Sequence, residues 1–371
     1  MIQRIILSGG GTGGHIYPAL SIYHRLKELN PQLECLYIGS QTGLEADIVT
    51  KANIPFEAIQ IQGLKRSLSL ENLKAIWYMN SSTRKVKRLI REFQPDVVVG
   101  TGGYVCAPVL YAAAQSGYPT LIHEQNSIPG LTNKFLSRYV DRIGICFQEA
   151  ASGFEKVSHK VRLTGNPRGQ EVVNYPMDSE ILSKQYGLSD SLPTVLIFGG
   201  SRGAPAINQA AIQIIENLQG APYQVIIGTG NVHYDDIMLE LKQKHREIPD
   251  NVRILPYIEN MPAVFGALDL VVCRSGATTL TELTALGLAS ILVPSPYVTS
   301  NHQYHNAMAL VDKGAAVLIE EADLSAEKLL EQVNRLMSQP EAIAQMGQQA
   351  KTLGIVDATD RIIEVLNEIA E

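Results

Sequence analysis

Residues 8–20, SGGGTGGHIYPAL, follow the apolar run Ile5, Ile6, Leu7 and carry five glycines among their first seven residues. An apolar run that breaks into glycines and then into a helix-like segment reads as strand, tight loop and helix, the opening of a βαβ unit. Gly9, Gly11 and Gly14 satisfy the letter of the dinucleotide fingerprint G-x-G-x-x-G. That site also needs an acid at the tip of the second strand to hold ribose hydroxyls. Here the strand ends LYIGSQ, and Glu34 lies early in it. A Walker loop needs lysine and a hydroxyl directly after its last glycine, where this chain has His15; the nearest lysine is Lys27. What is left is a loop without bulky side chains at a helix start, with Thr12 as its hydroxyl and His15 entering a helix that Pro18 helps to begin. A plain turn does not need five glycines.

Outward from this loop the same unit recurs. RIILS, LECLYIG, FEAIQI, DVVVG, PTLIHE and RIGICF alternate with amphipathic segments, which predicts a parallel sheet. The pattern pauses over residues 157–182, rich in glycine, proline and polar residues. It then restarts with TVLIFGG, YQVIIGTG, NVRILPY, LDLVVCRSG, ASILVPSP and AAVLIE. The expectation is an α/β chain of two Rossmann-like parallel-sheet domains, 1–163 and 164–354, with a last helix over about 355–371 that crosses back onto the first or stays with the second. A weak repeat supports two similar halves: Gly10, Gly11, Thr12, Gly14 answer to Gly199, Gly200, Ser201, Gly203, each after an apolar strand. Open α/β sheets bind ligands at those strand ends, so a cleft between two facing domains is expected.

A chain of 371 residues with 45% hydrophobic and 18% charged residues is an ordinary globular protein of two or three domains. Its net charge of −6 argues against general nucleic-acid binding. Cys35, Cys106, Cys146 and Cys273 show neither zinc spacing nor a disulfide framework, which suits a reducing cytoplasm. The N-terminus lacks the long apolar core of an export signal. Residues 97–122 carry no charge, but their glycines and prolines split them into strand, loop, helix and strand, not a membrane span.

Two further loops end strands of the first half: GTGGYVCAP at 100–108, and HEQNSIPG at 123–130, which clusters His123, Glu124, Gln125 and Asn126. In the second half, VVCRSGATTLTELTALG runs from a strand into a helix opened by Ser275, Gly276 and Ala277. Free N–H groups there suit a diphosphate, and Glu282 is placed to take two ribose hydroxyls. A plain N-cap at Ser275 or Thr278 is the alternative.

Seven strings in this order, GGGTGGHIYPAL, GTGGYVCAP, HEQNSIPGLTNK, TGNPR, FGGSRGA, CRSGATTLTE and NHQYHNA, span nearly the whole chain, which resembles the MurG family. The resemblance implies a GT-B fold and transfer of N-acetylglucosamine from UDP-N-acetylglucosamine to lipid I, giving lipid II. It implies donor contacts at Thr12, Gly13, Gly14, Asn126, Arg168, Ser201, Ile258 (to uracil, through its backbone), Ala277, Thr278, Thr279, Leu280, Thr281, Glu282 and Gln303. Gly102, Gly103 and Tyr104 fall on the acceptor side. Some members read GNPVR where this chain has GNPR, and two glutamines where it has His302 and Gln303.

Glycosyl transfer needs stabilisation of the departing UDP and a base for the attacking hydroxyl. No D-x-D occurs in the chain, so neither a metal nor another cofactor is expected, and helix dipoles with hydroxyls must meet the diphosphate charge. His15 is the candidate base for single-displacement inversion, with Glu124 and His123 in reserve; hydrogen bonding to a phosphate or to its own loop is its other reading. Residues 64–91 hold eight basic residues against Glu71 alone, and Leu70, Leu73, Ile76 and Trp77 recur at helical spacing. This suits an anionic membrane surface at the cytoplasmic face, or equally a helix packed on the sheet. Other cell-wall synthesis proteins are the expected partners. A UDP-N-acetylglucosamine 2-epimerase of similar architecture and a non-catalytic UDP-sugar-binding membrane subunit are the rival functions.

Overall fold

The computed structural model describes residues 2–63, 70–200 and 202–371. It divides into two compact units, Met1–Gln170 with Ile355–Glu371, and Glu171–Gly354.

The first unit is built on β1 (Arg4–Ser8), β2 (Glu34–Ser40), β3 (Phe56–Ile59), β4 (Val97–Gly100), β5 (Thr120–Glu124), β6 (Arg142–Ile145) and β7 (Val161–Leu163), in the order β3-β2-β1-β4-β5-β6-β7. All pairings are parallel; Ile6 lies between Leu36 and Val98, and Ser8 stands beside Gly100. Sheets covered on both faces favour near-continuous β-branched runs, and β4 is buried along its whole length. β7 lies inside the stretch that reads as an interdomain connection; at three half-exposed or exposed residues it is too short to show a period.

The second unit repeats the plan with β8 (Thr194–Phe198), β9 (Gln224–Gly228), β10 (Val252–Leu255), β11 (Leu270–Cys273), β12 (Ala289–Leu292) and β13 (Val317–Leu318), ordered β10-β9-β8-β11-β12-β13. Leu196 lies between Ile226 and Val271. In both sheets the chain winds one way from its first strand and then the other. The order reverses between β1 and β4, and between β8 and β11, which is where open α/β sheets leave a crevice for ligands.

The last helix, Ala358–Ala370, packs in the first unit. Ile362, Ile363, Val365 and Leu366 are buried in one core with Ile2, Ile5, Leu7, Leu20 and Leu26. The unit boundary falls at Gln170, not at 163/164, because Gln170 belongs to this junction. Its Oε1 accepts from the N–H groups of Thr359 (2.8 Å) and Asp360 (3.1 Å), and its Nε2 donates to Asp360 Oδ2 (2.7 Å). Arg25 pairs with Asp360 at 2.7 Å. Partial burial pushes the Asp360 carboxyl up, but the hydrogen bonds from Arg25 and Gln170 outweigh it and hold it below its ordinary value.

Removing core atoms from this helix must loosen the first unit. Leu366→Ala, fully buried, is expected to cost about 2–4 kcal/mol in urea unfolding. The contribution of Asp360 is complete above about pH 4, its unfolded value, and is lost as the pH falls through the lower folded value. Asp360→Asn should therefore flatten the acid limb of the stability profile.

Candidate active site

In the first unit, Ser8 and Gly100 end side by side, so the loops after β1 and β4 start as neighbours. Gly10 N–H donates to Gly102 O at 3.1 Å. A Cβ at Gly9 would lie 2.1 Å from Thr101 Oγ1, and one at Gly103 would lie 2.4 Å from Gly10 O. Gly9 is therefore packed against a side-chain hydroxyl and Gly103 against backbone, so neither is slack in a turn. Gly11, Gly102 and Gly103 also have positive φ, at 84°, 119° and 88°.

The helix Gly13–Leu29 begins at Thr12, whose side chain makes no cap bond and is exposed. Pro18 lies inside this helix rather than at its start. With no N–H to give, it leaves the carbonyl of Gly14 outside the helical ladder. His15 Nδ1 lies 2.9 Å from Gly10 O. A carbonyl only accepts, so Nδ1 carries the proton and Nε2 of the neutral ring presents its lone pair. The ring lies against Gly102, where a Cβ would meet His15 Cδ2 at 2.6 Å and Nε2 at 2.9 Å. Thr101 Oγ1 donates to His15 O at 2.6 Å and fixes the backbone beneath the ring.

His123 and Glu124, the reserve bases, have other work. His123 is fully buried; its Nε2–H donates to Gly165 O at 2.8 Å and its Nδ1 accepts from Gln125 Nε2 at 2.9 Å. Burial holds its pKa below the ordinary value and keeps it neutral, with no lone pair left for substrate. Glu124 is 2% exposed. It accepts from the N–H groups of Asn126 (3.0 Å) and Gly130 (2.9 Å) and from Asn133 Nδ2 (2.9 Å), so it shapes the loop after β5. Asn126 is brought to this same loop. Arg168 lies over the Tyr17 ring at 5.5 Å, and Tyr104 is exposed, stacked above Gly63.

One acid was missed. Glu45, from the helix Leu44–Lys51, turns back to the tip of β2, where its carboxylate accepts from Ser40 N (2.9 Å), Ser40 Oγ and Gly11 N (3.2 Å). A carboxylate does stand at the end of the second strand, but it is fully buried and committed to the glycine loop, not open to a ribose. Tyr37 was missed as well: its hydroxyl donates to Gly9 O at 2.7 Å.

In the second unit, Phe198 and Cys273 end side by side. The loop after β8 turns through Gly200 (φ 94°) and Gly203 (φ 76°), and a Cβ on Gly203 would lie 2.0 Å from Thr229 O. Ser201 lies outside the described residues. Ile258 packs its buried side chain over Gly228, which leaves its backbone as the part able to meet a base.

After β11 the helix Ala277–Leu286 is capped by Gly276, not by Ser275 or Thr278, and receives no side-chain cap bond. Ser275 is fully buried and donates to Gln303 O at 2.7 Å. The N–H groups of Ala277, Thr278 and Thr279 thus head the helix without a side-chain cap, while Leu280 N–H already donates to Gly276 O. Leu280 is buried and the Thr281 hydroxyl donates to Ala277 O at 2.9 Å, so these two build the helix rather than reach outward. Glu282 is 6% exposed on the same helix. Gln303 Oε1 accepts from Ser295 N at 2.9 Å, and His302 Nδ1 donates to Thr299 O at 2.9 Å. Arg274, which sequence reading passed over, donates to Val293 O and Pro294 O and pairs with Glu321, holding the ends of the strands beside the helix.

Both halves of the chain match known domain families. Residues 5–145 match the glycosyltransferase family 28 N-terminal domain and residues 194–362 the family 28 C-terminal domain. A Bacillus cytotoxicus protein named UDP-N-acetylglucosamine--N-acetylmuramyl-(pentapeptide) pyrophosphoryl-undecaprenol N-acetylglucosamine transferase is 52% identical over 99% of both chains. A relative of the same name from Halalkalibacterium halodurans is 50% identical over 100% of both. The crystal structure of Acinetobacter baumannii MurG matches with a TM-score of 0.77 at 28% identity over 99% of both chains. A Neisseria meningitidis UDP-GlcNAc 2-epimerase bound to UDP-GlcNAc matches at 0.69 with 15% identity, over 98% of this chain and 100% of that one, a likeness of fold alone. With full-length relatives at half identity and both domain models matched in order, this chain has the GT-B fold and belongs to the MurG family of family 28 glycosyltransferases.

Proposed function

We infer that this chain is a glycosyltransferase that moves N-acetylglucosamine from UDP-N-acetylglucosamine to the C4 hydroxyl of lipid I, forming lipid II. The observation that carries the reading is full-length identity of about half to relatives named for that transfer. The distant epimerase likeness carries no comparable weight.

In the proposed single displacement, the lone pair on His15 Nε2 takes the proton of the C4 hydroxyl as its oxygen bonds to the anomeric carbon. The bond from that carbon to the β-phosphate oxygen breaks, and UDP leaves with the electron pair. The start of the helix Ala277–Leu286, which receives no side-chain cap bond, takes the diphosphate through backbone N–H groups and its dipole. Glu282 holds the ribose, Ile258 meets uracil through its backbone, and Gln303 meets a sugar hydroxyl. Thr12, Gly13, Gly14, Asn126, Arg168 and Ser201 complete the donor contacts, with Gly102, Gly103 and Tyr104 on the acceptor side. Neither metal nor organic cofactor enters this scheme.

We also place the protein on the cytoplasmic face of the membrane as a peripheral protein, with other cell-wall synthesis proteins as its partners. No helix among the described residues is long and apolar enough to cross a membrane. On the helix Leu70–Phe93, Lys74, Trp77, Ser81, Arg84, Arg88 and Arg91 are exposed at alternating spacings of three and four. They form one face, basic and bearing an indole that is 62% exposed. Residues 64–69 of the basic stretch lie outside the described residues, as do the side chains of Leu70, Leu73 and Ile76. Leu131, Phe135 and Tyr139 are exposed apolar residues of the same unit. A basic face bearing an exposed indole suits an anionic bilayer holding a lipid-linked acceptor.

Four measurements test these assignments. Radiolabelled UDP-N-acetylglucosamine with lipid I is expected to give lipid-linked label; a free epimer, or neither product, would overturn the transfer. His15→Ala should lower kcat by roughly 10²–10⁴ and remove the acid limb of its pH profile, and near-normal turnover with an unchanged profile would remove His15 as base. Gly102→Ala, whose methyl would enter the imidazole, is expected to lower kcat about a hundredfold in a folded protein. For the membrane face, Arg84→Glu with Arg88→Glu should weaken sedimentation with anionic vesicles at low salt by about tenfold or more; unchanged binding would rule this face out.

A further inference from the structure

The peptide unit between Gly10 and Gly11 is held at both ends. Its carbonyl, Gly10 O, accepts from His15 Nδ1–H at 2.9 Å, and its N–H, on Gly11, donates to Glu45 Oε2 at 3.2 Å. Carboxylate, peptide and imidazole thus form one chain of hydrogen bonds running in a single direction. A peptide bond is planar and conjugated, so the two ends turn together and polarise together.

Glu45 is placed for this with unusual closeness. It is fully buried, and a Cβ at Gly10, Gly39 or Gly43 would come within 2.4, 2.8 and 2.1 Å of its side chain. Its donors are neutral: Ser40 N, Ser40 Oγ and Gly11 N. The other titratable groups facing the loop from the elements around it are Tyr37 and Cys106, with Tyr17, Arg168 and Tyr104 at its margin. Tyr37 donates to Gly9 O and the Cys106 thiol to Ser8 O. Burial pushes the Tyr37 phenol well up and the Cys106 thiol to about 12, so both stay neutral. Tyr17 and Tyr104 are exposed, and Arg168 lies over the Tyr17 ring.

We propose that Glu45 is the positioning carboxylate of His15, acting through the Gly10–Gly11 peptide to fix the Nδ1–H tautomer and to stabilise the imidazolium when Nε2 takes a proton. No proton moves along the chain: Nδ1 keeps its hydrogen and Glu45 stays a carboxylate, as the buried acid does behind the histidine of a serine-protease triad. The proposal rests on the reading of His15 as base for its catalytic consequence, but the coupling itself is a property of the free protein.

The test is Glu45→Gln in the full chain, which keeps the shape and removes the charge. The imidazole titration of His15 is followed by NMR on histidine-labelled protein and assigned with His15→Gln. The midpoint is expected to move to lower pH by about half a unit or more, with kcat down about tenfold and KM for the donor within about twofold. Ser40→Ala, which removes a competing donor and leaves the carboxylate more to Gly11, should move the midpoint the other way. An unmoved midpoint in a folded Glu45→Gln protein overturns the proposal. If Glu45→Gln does not fold, Ser40→Ala decides, and an unmoved or lowered midpoint there overturns it too. A shifted midpoint with an unshifted acid limb of kcat leaves the coupling standing and removes His15 as base.

Discussion

The first unit's site depends on two loops approaching within backbone distance, Gly10 N–H on Gly102 O at 3.1 Å. The register of β1 and β4 sets this up, since Ser8 and Gly100 are paired at the sheet's point of reversal and the chain leaves both strands at one height. Side chains would hold such loops apart; at Gly9 and Gly103 a Cβ would sit 2.1 and 2.4 Å from its neighbours. Once the loops touch, Gly10 O is fixed where His15 Nδ1 must find it, and the imidazole is fixed over Gly102. The orientation of one ring therefore follows from strand register and missing methyl groups, without any rigid bulk around it.

The second unit starts from the same reversal and ends differently. Its loop after β8 is also glycine-turned, but the group it offers beside β11 is a helix head closed by Gly276. The side chain that stands ready to cap it, Ser275, is buried and spent on Gln303 O. The strand ends are pinned instead by Arg274 on Val293, Pro294 and Glu321. One topology thus yields an oriented lone pair in one unit and a concentration of N–H dipoles in the other.

Alternation of apolar runs made twelve strands legible, because each is four to seven residues long or, like β13, ends a strong apolar run. β7 was not, since Val161–Leu163 is short and largely unburied and sits among turn residues. The glycine loop was legible as a site, yet not the reason for its glycines. An acid was sought in the letters that end β2, whereas Glu45 arrives from the following helix and reaches back. Only three-dimensional packing against Gly10, Gly39 and Gly43 reveals it. Likewise HEQN looks like a cluster of reactive groups, and burial together with hydrogen bonding separates His123 and Glu124 from that chemistry.

His15 and His123 show why burial is the deciding variable. A general base must expose a lone pair while its other nitrogen is held, and it must be able to bear the charge it gains. His123 fails on every count: both nitrogens are engaged, and burial penalises the cation. His15 commits one nitrogen to a carbonyl and leaves the other at the face of Gly102, with only partial burial. The carbonyl is itself the acceptor end of a peptide whose N–H rests on a buried carboxylate. A cation forming on His15 would thus be met by a dipole already pointing the right way, with no rearrangement at the moment of transfer. The same glycines that let the loops touch leave room for that carboxylate beneath them, so the close approach of the loops and the orientation of the ring are one constraint seen from two sides.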